Sequence, residues 1–336
     1  MSYRAFSVTV TGGSHKKRGK GCEDFSYSGD IESKGFLKTS WLASVAVVAD
    51  GHGDSNCFRA AKGAEFAAQC AKTGIEDFIK TYNRKTLDTA EFEESLRRLV
   101  KHIVARWQIA VEEDYVKNPF TEAELAGADK EHRAEYESKK AGKRGCHAYG
   151  TTLIAAAVTA DYWFGIHIGD GRLTALYADG TYDQPVPWDE KCFLNVTTSV
   201  SDDDAAERAR VYFSFHKDKA PPAAVFLCSD GVDDSYPVDG NERHLFKLYR
   251  AAALAFADDG FDSTRAQLKD LAVRFATVGK GDDTSIAGFI DMDAVKETAA
   301  VWRGQIADEE GAAARTENSG IEAYGEFCTS AMNMKE

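Results

Sequence analysis

Nothing in the 336 residues approaches the roughly 20 consecutive apolar positions a membrane helix needs. Met1 to Lys20 holds no signal-peptide core: its basic cluster, His15, Lys16, Lys17, Arg18 and Lys20, follows the apolar stretch instead of preceding it. An excess of positive charge is missing as well. The net charge of −13 argues against a nucleic-acid partner, which would want a basic face. The seven cysteines (Cys22, Cys57, Cys70, Cys146, Cys192, Cys228, Cys328) are scattered, odd in number and free of any Cys-x-x-Cys pair. That argues against a disulfide framework and a zinc ribbon, and leaves most of them as small buried residues. No repeat at solenoid periods is visible. A monomeric cytoplasmic protein with no membrane or nucleic-acid partner is expected. Its 43% hydrophobic and 28% charged residues supply a core for one large domain or two small ones.

Strand signals fall at Phe6–Thr11, Val45–Ala49, Thr151–Thr159, Tyr162–Ile168, Arg172–Ala178, Ala223–Cys228 and Ser285–Ile290. Tyr162, Phe164, Ile166 and Ile168 alternate, which predicts one buried face, with Trp163, Gly165 and His167 pointing the other way. Phe92, Leu96, Val100, Ile103, Trp107 and Ala110 form the apolar stripe of a long helix. Further helices are expected over Phe58–Tyr82, Asn241–Ala257 and Ala294–Ile306, and one around Leu268, Leu271, Ala272 and Phe275 capped by Asp262 or Ser263. Links between strands are too short for regular crossovers, which favours antiparallel sheets flanked by helices, an α+β fold. Residues 117–145 are highly charged and read as a surface insertion, and 292–336 as a helix followed by a polar tail.

The chemistry is concentrated where apolar runs meet carboxylates. Val45 to Ala49 runs straight into Asp50-Gly51-His52-Gly53, and Ala223 to Cys228 into Ser229-Asp230-Gly231, with Asp233 and Asp234 following. Tyr162 to Ile168 leads into Gly169-Asp170-Gly171-Arg172. Gly281-Asp282-Asp283 opens a strand, and Glu23-Asp24 lies before a strand or turn. A lone Asp-Gly is an ordinary turn. Repeated carboxylates brought together would repel and raise one another's pKa unless hard cations neutralise them. Gly51 adds a position where a backbone carbonyl can approach an ion.

Taken in order, Glu23-Asp24, Asp50-Gly51-His52-Gly53, Gly150-Thr151-Thr152, Gly169-Asp170-Gly171-Arg172, Ser229-Asp230-Gly231 and Gly281-x-Asp283 resemble the metal-dependent protein phosphatases of the 2C type over about residues 1–291. Pro187 to Ser199 is similar to bacterial members. The resemblance implies a four-layer αββα sandwich, two antiparallel sheets flanked by helices, with a two-metal centre (Mn2+ or Mg2+) at one end. Asp50 would bridge both ions. Asp230 and Asp282 would hold the first; Glu23, with Asp24 beside it, and the Gly51 carbonyl would hold the second. Asp170 and Asp234 match positions of a weaker third ion. His52 matches the histidine held to protonate the leaving alcohol. Two ions about 3.5–4 Å apart can share a water and supply hydroxide near neutral pH. In-line attack would then hydrolyse phosphoserine and phosphothreonine in protein substrates, without a covalent intermediate.

The chain also departs from the family. Its phosphate-binding arginine, four residues before Glu23, is replaced by Gly19, leaving Arg18 or Lys20 to take its place. Asp283 stands where asparagine is frequent, Gly171 where serine is common, and Asp54 where a glycine often follows. Two alternatives to an active protein phosphatase remain open: an inactive scaffold, and a monoesterase of small phosphorylated molecules on the same fold.

Overall fold

The computed structural model describes residues 3–34, 39–82, 88–138, 144–186, 189, 192, 197–237, 240–277 and 281–315. Most of 187–199, and all of 316–336 including Cys328, lie outside the described residues. In chain order the elements are β1 (Tyr3–Val10), α1 (Gly13–Arg18), β2 (Phe25–Lys34), β3 (Thr39–Ala49), α2 (Ala60–Tyr82), α3 (Thr89–Lys117), α4 (Glu122–Leu125) and α5 (Lys130–Glu137). After a 3-10 turn at Arg144–Tyr149 come β4 (Leu153–Thr159), β5 (Tyr162–Ile168), β6 (Arg172–Leu176), β7 (Tyr182–Asp183), α6 (Ala205–Arg208) and β8 (Arg210–Phe215). The chain continues through β9 (Ala224–Cys228), α7 (Asp230–Asp233), α8 (Asn241–Asp259), α9 (Phe261–Phe275), β10 (Thr284–Asp291) and α10 (Met292–Arg315).

Two five-stranded sheets lie face to face, ordered β1-β10-β9-β6-β7 and β2-β3-β4-β5-β8, with every described pairing antiparallel. Three apolar layers hold the stack together. Between the sheets, Ala46, Val48, Ile154 and Trp163 meet Leu173, Val225, Leu227 and Phe289. The outer face of the second sheet packs on α2 and α3 through Val45, Val47, Phe164, Ile75, Leu96 and Trp107. The outer face of the first packs on α8, α9 and α10 through Phe6, Phe226, Tyr249, Leu268 and Trp302. Burial of this apolar surface is the main force holding the four layers together.

Several local expectations change. All seven residues of β5 are buried, because the face carrying Trp163 and His167 meets the opposite sheet instead of water. The cap of α9 is Gly260, with Phe261 opening the helix, so neither Asp262 nor Ser263 caps it. Segment 117–145 is anchored through buried Leu125 and Tyr136 and carries α4 and α5. Cys57, Cys146, Cys192 and Cys228 are buried as expected, but Cys22 and Cys70 are only half-buried. Among the described residues no helix is long and apolar enough to cross a membrane.

Candidate metal centre

Strand pairing brings the acidic turns to one end of the sandwich. Phe25 pairs with Ala49, which sets the residues just before β2 beside those just after β3. Cys228 faces Ile286 on one side and Arg172 on the other, so Asp230, Asp282, Asp283 and Asp170 follow or precede neighbouring strand ends. Val10 opposite Thr284 brings Gly12 to His15 to the same edge. The loop after β3 is then stitched down by hydrogen bonds. Asp50 N–H donates to Thr152 Oγ1 at 3.1 Å, and its carbonyl accepts from Thr152 N at 2.8 Å and Thr151 Oγ1 at 2.9 Å. Gly51 N–H donates to Glu23 O and His52 N–H to Gly150 O, both at 3.1 Å. Gly150-Thr151-Thr152 is therefore the frame of the Asp-Gly-His loop.

Confinement of these carboxylates disturbs their titration. Asp24 is pushed up to about 8 by burial, then by Asp230 and Asp283, with Ser229 and Ser285 pulling the other way. Asp50 rises well above the carboxylate range through burial and the charges of Asp24 and Asp230. Asp230 is pushed up to about 7, chiefly by burial, while a proton shared with Asp50 opposes the rise. Asp170 is raised, again mainly by burial. Oε2 of Glu23 is buried without a hydrogen-bond partner, and the two buried oxygens of Asp24 have only the hydroxyls of Ser229 and Ser285 beside them. Asp282 and Asp234 stand at the exposed rim. Asp233 does not join the others: Arg172 binds it at 2.8 Å, and burial takes its carboxyl up to about 6. Among the described residues, no three His, Cys, Asp or Glu side chains close as a finished metal cage.

Comparison with known proteins decides the family. The family model for protein phosphatase 2C matches residues 11–271. The chain belongs to the protein phosphatase 2C family. No curated protein sequence matches it. Among solved structures it is similar to the serine/threonine phosphatase Stp1 of Staphylococcus aureus, with TM-score 0.51 and 16% identity over 87% of this chain and 96% of that one. A C. elegans sex determining protein gives TM-score 0.52 and 16% identity over 89% of this chain and 68% of that one. A bacterial serine phosphatase gives 0.50 and 16% over 86% and 98%. At such identities the likeness shows the fold, while the family match makes this phosphatase 2C chain a protein-serine/threonine phosphatase.

Within this family member, the basic cluster splits. His15 is buried, whereas Lys16, Lys17, Arg18 and Lys20 are exposed on and after α1. Gly19 ends α1 with φ 68, a left-handed conformation that strains a side-chain-bearing residue. Lys20 Nζ pairs with Glu23 Oε1 at 3.3 Å, while Arg18 makes no ion pair or hydrogen bond among the described residues. His52 is pushed down to about 4 by burial, with His147 adding to the effect and Asp54 opposing it. The thiols of Cys22 and Cys57 are pushed up to about 12, chiefly by burial, which makes them poor nucleophiles at neutral pH.

Two residues gain a place here that their sequence context hid. Asp283 is buried and accepts from Gly12 N–H at 2.6 Å, from Glu23 N–H, and from His15 Nδ1 at 3.0 Å. It thus fixes the backbone that presents Glu23. Asn56 is clamped by the 117–145 segment: its Nδ2 donates to Asp129 Oδ2 at 3.1 Å, and its carbonyl accepts from Tyr136 OH at 2.9 Å. The charge-rich composition of that segment gives no hint of this.

Proposed function

We propose that the chain hydrolyses phosphoserine and phosphothreonine monoesters in protein substrates with the help of divalent cations, and without a covalent intermediate. The observation that carries this reading is the gathering of Asp24, Asp50, Asp170 and Asp230 at one sandwich end, all with raised carboxyls, beside the unpartnered Oε2 of Glu23. Such a cluster holds together at neutral pH only by binding protons or cations. Its donors are oxygens throughout, which suits Mn2+ or Mg2+. Asp50, Asp230 and Asp282 would hold one ion; Asp50, Glu23 with Asp24, and the Gly51 carbonyl the other; Asp170 and Asp234 a weaker third. Two bound ions would supply an activated water and neutralise charge on the phosphate.

The chain's own residues do the rest. Thr152 and Gly150 hold the Asp50–His52 backbone rigid. His52 stands in the same loop to hold a proton for the leaving alkoxide, and a bound phosphate dianion would raise its depressed pKa toward the working range. Arg18, extended from the end of α1, would provide a guanidinium fork for the phosphate. The raised Cys22 and Cys57 thiols favour direct hydrolysis over a thiophosphate intermediate. Residues 1–291 would form the catalytic domain, with α10 packed on α8 as a C-terminal addition.

The test is turnover after chelation. Protein stripped with EDTA should release no phosphate from phosphoserine or phosphothreonine peptides, and added Mn2+ should restore release. Silence under every metal tried would favour the scaffold, and a preference for phosphorylated metabolites over phosphopeptides would favour the small-molecule enzyme.

A further inference from the structure

The short helix α1 is tied to the acidic end at its start and carries its charge towards its finish. Gly13 N–H donates to Ala276 O at 2.7 Å, Ser14 N–H to Gly281 O at 2.9 Å and Gly12 N–H to Asp283 Oδ1 at 2.6 Å. A Cβ at Gly12 would collide with Gly281 O, so the backbone there lies directly against the loop that carries Asp282. His15 turns inward, its Nε2 3.6 Å from Glu23 Oε2 and 3.9 Å from Asp282 Oδ1. From that anchored base Lys16, Lys17 and Arg18 stand exposed at the mouth of the site, with Lys20 just beyond the left-handed Gly19.

On other helices the exposed cations have carboxylate partners one turn away: Lys80 with Glu76, Arg97 with Glu93, Arg98 with Glu94 and Arg133 with Glu137. α1 contains no acidic residue, and Lys16, Lys17 and Arg18 make no ion pair among the described residues. They set a local positive field beside an acidic site, on a chain whose net charge is −13. Rim charges of this kind choose partners by complementarity and orientation more than by raw affinity. Successive side chains leave a helix about 100° apart, so Lys16 and Arg18 flank the inward-facing His15 while Lys17 points away. We propose that α1 docks acidic residues flanking the phosphorylated residue of a substrate, so that the enzyme selects phosphosites in Asp- and Glu-rich segments, with Lys16 as the main determinant. Arg18 is left to the phosphate itself. This rests on the phosphatase reading of the acidic end.

Steady-state kinetics of the full chain at saturating Mn2+ on three phosphothreonine peptides test it: one with neutral flanks, one with aspartates before the phosphothreonine and one with aspartates after it. The wild type should favour one of the aspartate peptides by about three- to tenfold in kcat/KM, and added NaCl should erase the preference. The ratio between peptides is the readout, since it cancels any change common to all three. Lys16→Glu should bring it to one or below, Lys16→Arg should keep it, and Lys17→Glu should lower it less. Equal kcat/KM on the three peptides, or a preference that survives Lys16→Glu, overturns the docking role while the phosphatase reading stands. No turnover of any phosphopeptide by the wild type overturns both. Binding to phosphatidylserine vesicles that Lys16→Glu abolishes, with the peptide ratio unmoved, would assign α1 to a membrane surface and overturn the docking role as well.

Discussion

At the scale of single residues, the carboxylates differ in what their loss should do. Asp50→Asn and Asp230→Asn each remove a charge proposed to hold an ion. Turnover of phosphopeptides should fall below about one per cent of wild type even at saturating Mn2+, with the circular dichroism spectrum unchanged. A variant near the wild-type rate would rule out the ligand role. His52 calls for a comparison of substrates, since its depressed pKa leaves it neutral at pH 7 until a phosphate dianion arrives. His52→Ala should lower kcat on a phosphopeptide by about 10²-fold and spare an aryl phosphate whose leaving group needs no proton. Equal losses on both would show a different role. Asp50, Asp170 and Asp230 could be picked from the sequence because each closes or follows an apolar strand. His15 could not, since it opens a basic run whose other members are solvated. Its difference is topological: β1 delivers it to the edge where β10 begins.

At the scale of elements, the sequence shows most clearly those whose surroundings are uniform. The stripe of α3 and the apolar runs of β3, β4, β9 and β10 face only protein, and their patterns say so. β2 and β8 are the edges of their sheet, and their mixed sequences, Phe25-Ser26-Tyr27-Ser28-Gly29 and Arg210-Val211-Tyr212, carry no clean period. Contact between α2 and the turn before β4 was likewise invisible. A Cβ at Gly63 would sit 1.8 Å from Tyr149 O, and Trp107 Nε1 donates to Gly63 O at 3.0 Å. Gly63→Ala should therefore destabilise by about 1–3 kcal/mol or more by overpacking, read as a lower denaturant midpoint. An unchanged midpoint would mean that α2 can move away from the turn at no cost. Tyr136→Phe removes the hydroxyl that binds Asn56 O and should cost about 1 kcal/mol. If the 117–145 segment braces the His52 loop, the same variant should also lower kcat with KM held; a stability loss with kcat unchanged would confine it to packing.

At the scale of the whole molecule, the acidic end should make stability depend on pH and, through the proposed ions, on metal. Asp24 and Asp230 titrate near 8 and 7 in the folded chain, against about 3.9 when unfolded. The folded state therefore binds more protons, and the stability these groups retain in acid is lost as pH rises through their folded values. His52, held near 4, works in the opposite sense but only below about 6.5. EDTA-treated protein should then lose Tm between about pH 6.5 and 8.5, Asp24→Asn should flatten that fall, and Mn2+ should abolish it. A Tm that is flat or rising over this window without metal would contradict the cluster's electrostatics. The family-wide architecture was legible because the acidic turns kept their order along the chain, but their convergence depends on which strands pair, and no local pattern encodes that. One pairing also sets a timetable. β1 lies along β10 from Tyr3 opposite Asp291 to Val10 opposite Thr284, so the first strand made must wait for the last. At about 5–20 residues per second, the roughly 280 intervening residues take on the order of 15–60 s to synthesise. Until then Glu23 and Asp282, both proposed ion ligands, belong to separate parts of a growing chain, so a nascent copy on the ribosome should release no phosphate from its neighbours.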